Sequence, residues 1–103
     1  MTRRPLPSLR GLQAFEVFAR TGAMTRAAAE LSVTHGAVSR QIKALEAQLG
    51  ARLVEGPKHR LQLTPAGRDL ASSLSSAFDL VASALPGAEA GQELVAPAPG
   101  PSP

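Results

Sequence analysis

Only Ser32 and Val33 lie between two stretches of helical periodicity, one from Thr25 to Leu31 and one from Thr34 to Leu49. So short a connection makes the two helices neighbours across a tight turn. In the first stretch Thr25 is a candidate cap and Ala27, Ala28 and Leu31 are the inward positions. Its alanines let another helix approach closely. The second stretch places Val38, Ile42, Leu45 and Leu49 on one face and stops at Gly50, a residue suited to the left-handed conformation that ends helices. His35, Ser39, Arg40 and Lys43 occupy the opposite face.

The flanking segments supply a core and a second, non-helical element. Ser8 caps a first helix in which Leu9, Leu12, Phe15 and Phe18 recur at helical spacing up to Gly22. After Gly50 the period becomes alternating: "ARLVE" and "RLQLT" flank "GPKH", which predicts two short strands joined by a four-residue turn. Thr64 followed by Pro65 then starts a fourth helix, since a hydroxyl caps it and proline's missing N–H does no harm at the first position. That helix should reach about Leu85, with Leu70, Leu74, Ala77, Phe78, Val81 and Leu85 tracing a stripe. The stripe outruns a compact three-helix unit, so it is expected to meet a second subunit. From Pro86 to Pro103 five of the nine prolines fall among Ala, Gly and Ser, the composition of a disordered tail.

Charge narrows the partner. Residues 1–60 hold ten Lys and Arg against four Glu, a balance of +6, whereas residues 61–103 hold one Arg against four acids, a balance of −3. A positive field confined to the N-terminal part suits a phosphate backbone or an anionic membrane surface. There is no cysteine and no apolar run of signal-peptide or membrane-spanning length, so disulfides and thiolate metal sites are excluded and a soluble cytoplasmic protein is expected.

Two helices on a tight turn, the first rich in alanine, match the helix-turn-helix, in which the second helix enters the DNA major groove N-terminus first. The small, polar, poorly helix-forming head of that second helix, "SVTHGAVS", then has a physical reason: small residues permit close approach to DNA. Thr34 can cap the helix and aim its first N–H groups at a phosphate. Ser39, Arg40 and Lys43 lie within reach of base edges or phosphates, Arg being the usual reader of guanine. Lys58, His59 and Arg60 sit at the predicted hairpin tip, which would act as a wing.

From Ala14 to Gly67 the chain resembles the N-terminal DNA-binding region of LysR-type transcriptional regulators. The resemblance rests on Ala27–Ala28, "THGAVS" from Thr34 to Ser39, "IKALE" from Ile42 to Glu46, Leu49–Gly50 and "LTPAG" from Leu63 to Gly67, in the family's order and spacing. It implies a mainly α fold, a winged helix-turn-helix of three helices plus a two-stranded hairpin, over residues 1–64. A linker helix over residues 65–85 would pair two subunits on partly palindromic DNA, ahead of the tail at 86–103. The DNA-binding set is then Thr25, Arg26, Thr34, His35, Gly36, Ala37, Ser39, Arg40, Lys43, Lys58, His59 and Arg60. Departures fall at the wing, where Gly56 and His59 stand at two positions usually Arg, and before the second helix, where Ala23 and Met24 replace a small polar residue and a Phe. Family members continue into a ligand-binding domain of two α/β lobes, and here the expectation is that this domain, with its effector site, is lacking.

Other functions fare worse. His35 and His59 have no companion ligands at metal-binding spacing, and the serines at 72, 73, 75 and 76 lack any nucleophile motif, so neither an enzyme nor a cofactor or metal protein is expected. Phe15, Phe18 and Phe78 read as core, which argues against stacking on single strands. The alternative of a different class is an interaction protein that forms mixed dimers with full-length relatives and antagonises them.

Overall fold

The computed structural model describes residues 6–87, so all but the first two residues of the expected tail lie outside the described range. The elements are α1 (Leu9–Thr21), α2 (Met24–Leu31), α3 (His35–Leu49), β1 (Val54–Glu55), a 3-10 turn (Lys58–Arg60), β2 (Gln62–Leu63) and α4 (Pro65–Ala84). The strands pair antiparallel, Val54 opposite Leu63 and Glu55 opposite Gln62. This is the mainly α winged helix that the sequence predicts.

Most helix ends fall where the capping chemistry puts them. Ser8 accepts from the Gly11 N–H at 3.4 Å, Thr34 from Ala37 at 3.1 Å and Thr64 from Gly67 at 3.0 Å, each satisfying an N–H that its helix cannot. The exception is α2, which is capped two residues earlier than predicted. Its N-cap is Ala23, in extended conformation and with no side chain to accept a bond. Thr25 is therefore inside the first turn, not outside it, and cannot cap.

The core gathers where α1, α2, α3 and the start of the wing converge. Phe15, Val38, Ile42, Leu45 and Leu53 are its largest fully buried side chains, with Ala27 sealed between helices. Leu9 and Leu49, expected in this core, are 62% and 42% exposed. They end α1 and α3 at one edge of the unit, where Gln48 Oε1 accepts from the Ser8 N–H at 3.5 Å. The apolar stripe there runs past the surface it packs against. Leu31 is half-buried against the core.

A single carboxylate fastens the wing to α3. Glu46 Oε2 accepts from the Leu53 N–H at 2.7 Å and the Val54 N–H at 3.2 Å, with Arg52 Nε 3.6 Å away. On the other side Thr64 closes the same segment: its hydroxyl donates to the Arg52 carbonyl at 2.7 Å and its N–H to the Leu53 carbonyl at 3.0 Å. Those bonds explain why the hairpin is shorter than "ARLVE" and "RLQLT" suggest. Residues 51–53 are engaged by α3 and α4, so each strand keeps two residues and residues 56–61 form the connection. Gly56, at φ +99, allows the chain to leave β1. Glu46→Ala strands two part-buried N–H groups and should cost about 2 kcal/mol, read as a lower urea midpoint. An unchanged midpoint would refute this fastening role.

The stripe on α4 divides. Leu74 is buried in the chain's own core, and Leu70 and Phe78 pack partly against it. Ala77 is exposed, as are Val81 at 58%, Leu85 at 48% and Leu80, off the predicted stripe, at 70%. Leu74 is therefore unavailable to a second subunit, because the start of α4 lies across α1 and completes the core. Among the described residues no helix is long and apolar enough to cross a membrane.

Candidate nucleic-acid interface

The turn between α2 and α3 is built by Ser32, held in the left-handed region at φ 58. Its N–H donates to the Ala29 carbonyl and that of Val33 to the Ala28 carbonyl, at 3.3 and 3.0 Å, so the spent end of α2 is sealed before α3 starts. Thr34 then caps α3 and presents its first turn outward. His35, Arg40 and Lys43 are exposed, while Gly36, Ala37 and Ser39 are half-buried. The Arg40 guanidinium lies back along the helix over Gly36: a Cβ on Gly36 would sit 3.2 Å from one of its terminal nitrogens. Gly36 thus provides the space in which Arg40 rests.

Across from the α3 N-terminus stand Lys58, His59 and Arg60, all exposed on the 3-10 turn, where the Arg60 N–H donates to the Pro57 carbonyl at 2.8 Å. An open groove of about 490 Å³ runs between these elements, with Thr25, His35, Lys58, His59, Arg60 and Gln62 among its lining. Three elements distant in sequence thereby share one concave face. Among the described residues no carboxylate lines it.

Not every predicted residue joins that groove. Arg26, Thr34, Gly36, Ser39, Arg40 and Lys43 lie outside its lining, and Ala37 lines a separate groove of about 330 Å³ with Arg10, Gln13, Leu31, Val33 and Gln41. Gln62 was missed by sequence reasoning, although it is the outward residue of the alternating "RLQLT". Met24, also in the lining, gives no polar signal at all.

The cations divide by employment. Arg20 bridges α1 and α2: its Nε lies 3.3 Å from Glu16, and the same guanidinium holds both oxygens of Glu30. The bidentate guanidinium draws the Glu30 carboxyl below its ordinary range, although so exposed a pair contributes little to stability. Arg52 is paired with Glu46. Among the described residues Arg26, Arg40, Lys43, Lys58 and Arg60 take part in none of the ion pairs, and all five are exposed. Glu16, Glu30 and Glu46 thus neutralise Arg20 and Arg52 and leave these five cations free of them. Exposed, unpaired Arg and Lys beside a helix N-terminus are the chemistry that suits a polyanion.

Comparison with known proteins agrees. Residues 9–68 match the family described as bacterial regulatory helix-turn-helix protein, lysR family. The chain is 45% identical over 85 residues to the transcriptional activator AmpR of Yersinia enterocolitica, covering 82% of this chain and 29% of that one. Against the regulator TrpI of Pseudomonas aeruginosa it is 46% identical over 76 residues, covering 74% and 26%. It thus spans less than a third of the length of these relatives. Among solved structures it resembles the DNA-binding domain of BenM in complex with benA site 1 DNA, with TM-score 0.67 and 29% identity over 73% of this chain and 87% of that one. The CbnR DNA-binding domain in its DNA complex gives TM-score 0.66 and 30% identity, covering 88% and 99%.

Proposed function

The chain belongs to the lysR family of bacterial regulatory helix-turn-helix proteins, and from that premise we propose that it is a cytoplasmic regulator of transcription that binds double-stranded DNA through α3 and the wing. The observation that carries the reading is the set of exposed, unpaired cations on α3 and the wing, with Lys58 and Arg60 lining the groove that the wing shares with the first turn of α3. In this reading residues 1–64 are the DNA-binding unit. Thr34, His35, Gly36, Ala37, Ser39, Arg40 and Lys43 enter the major groove, with Arg40 leaving its resting place over Gly36 to reach a base edge. Thr25, Arg26, Lys58, His59 and Arg60 hold the backbone on either side. Residues 65–85 form the linker helix, and its bare half, Ala77, Leu80, Val81 and Leu85, joins two protomers on a partly palindromic site.

Fluorescence anisotropy on duplex from the protein's own upstream region and on a scrambled duplex, across a salt series, tests this. Tighter binding to the upstream duplex that persists as salt rises is the expected result, and no binding to either would refute it. Arg40→Ala should reduce discrimination between the two by about 1–3 kcal/mol, whereas Lys58→Ala should weaken both alike and flatten the salt slope by about one unit. Were Arg40→Ala to bind every duplex as the parent does, α3 would not be the reading element.

A further inference from the structure

His35 and His59 come from different elements, the first turn of α3 and the wing, yet both line the groove between them. Resting on the reading above, we infer that these two histidines make duplex binding proton-linked, each taking up a proton as a backbone phosphate enters the groove. The charged groups of the lining are Lys58 and Arg60; Thr25, from α2, and Gln62, from β2, are neutral, and α1 contributes only Phe18. Beside His35 along α3 lies the Arg40 guanidinium over Gly36. The nearby wing carboxylate, Glu55, stands opposite Gln62 in the strand register and outside the lining. No anion of the protein faces the two imidazoles in the groove. An entering phosphodiester supplies one. Histidine is the side chain that gains its charge between about pH 5 and 8, so the phosphate arrives where the proton is available.

The sign follows. A phosphate raises the bound-state pKa of each imidazole above its free-state value, so the added affinity is fully present below the free-state pKa. It is lost as pH rises through the bound-state pKa. Binding should tighten on acidification, and since each added cation at the backbone releases counterions, the salt dependence should steepen with it.

Anisotropy with the full chain on a fluorescent random-sequence duplex, at fixed ionic strength between about pH 8 and pH 6, reads both quantities. The expected result is tightening on the order of tenfold, together with a salt slope steeper by up to roughly 1.8, or 0.9 for each histidine. Glutamine keeps a hydrogen-bonding side chain but has no charge to gain, so His35→Gln and His59→Gln should each remove about half of the pH response and the double variant all of it. Both positions are exposed, and an unchanged thermal melt of the double variant will verify folding. Duplex binding that stays level with pH in the parent overturns the inference and leaves the proposed function standing. A double variant that keeps the parent's pH response also overturns it, since the proton would then be taken elsewhere, the α-amino group included. Failure to bind duplex at any pH overturns the inference and the proposed function together.

Discussion

Gly67→Ala should lower the melting temperature by about 12 °C or more, the equivalent of at least about 3 kcal/mol in a domain of this size. The reason is local. Gly67 is buried in the first turn of α4, and a Cβ built there falls well inside contact distance of the Leu53 carbonyl oxygen, with the Leu53 carbonyl carbon and Cα at 3.1 and 3.3 Å. All three atoms are backbone, so no side chain can swing away. That same carbonyl accepts the Thr64 N–H, which means the collision strains the α4 cap and the wing attachment at once. Circular dichroism melts of the two proteins decide the matter. A melting point within a few degrees of the parent would show that α4 does not lie on the Leu53 backbone at this distance.

Leu74→Asp is the second large effect, and it separates two roles that the sequence ran together. Leu74 is 8% exposed among the apolar residues of the core. A carboxylate there has no partner, so the chain must bury it or open around it, at about 3 kcal/mol or more. Loss of the cooperative transition is the expected outcome, read by urea titration, and a native-like transition would place Leu74 outside the core. Val81→Asp provides the contrast. At 58% exposure it should alter stability by no more than about 0.5 kcal/mol, while sedimentation should show the parent as a dimer and the variant as a monomer. A Val81→Asp protein that sediments like the parent would remove the bare half of α4 as an interface.

Much of the fold was legible because it is written in local chemistry. Ser8, Thr34 and Thr64 each cap a helix by accepting one N–H three residues on, a signal carried by single residues at fixed offsets. Periodicity likewise found Phe15, Val38, Ile42 and Leu45. It misplaced Leu9 and Leu49 because a stripe in sequence does not say how far the partner helix extends. Leu74, expected at a subunit contact, is buried in the chain's own core for a related reason: the angle at which α4 leaves the wing decides which of its residues return to that core. Glu46 entered the sequence reading only as the end of a motif, since nothing nearby in sequence shows that two N–H groups seven and eight residues on converge upon it. As for the positive face, the charge count located it on the N-terminal part. Only the fold could show which cations are committed to Glu16, Glu30 and Glu46 and which are not.

The groove between α3 and the wing is edged by side chains that do no structural work: His35, Lys58, His59 and Arg60 are all exposed, and none belongs to the apolar core. Mutational drift can therefore sample new residues at these positions without approaching the threshold at which the domain unfolds. The positions that fix the scaffold, Gly67, Glu46 and the capping hydroxyls, are different ones. Such a division lets selection explore new ligand preferences on an unchanged frame, one exposed side chain at a time.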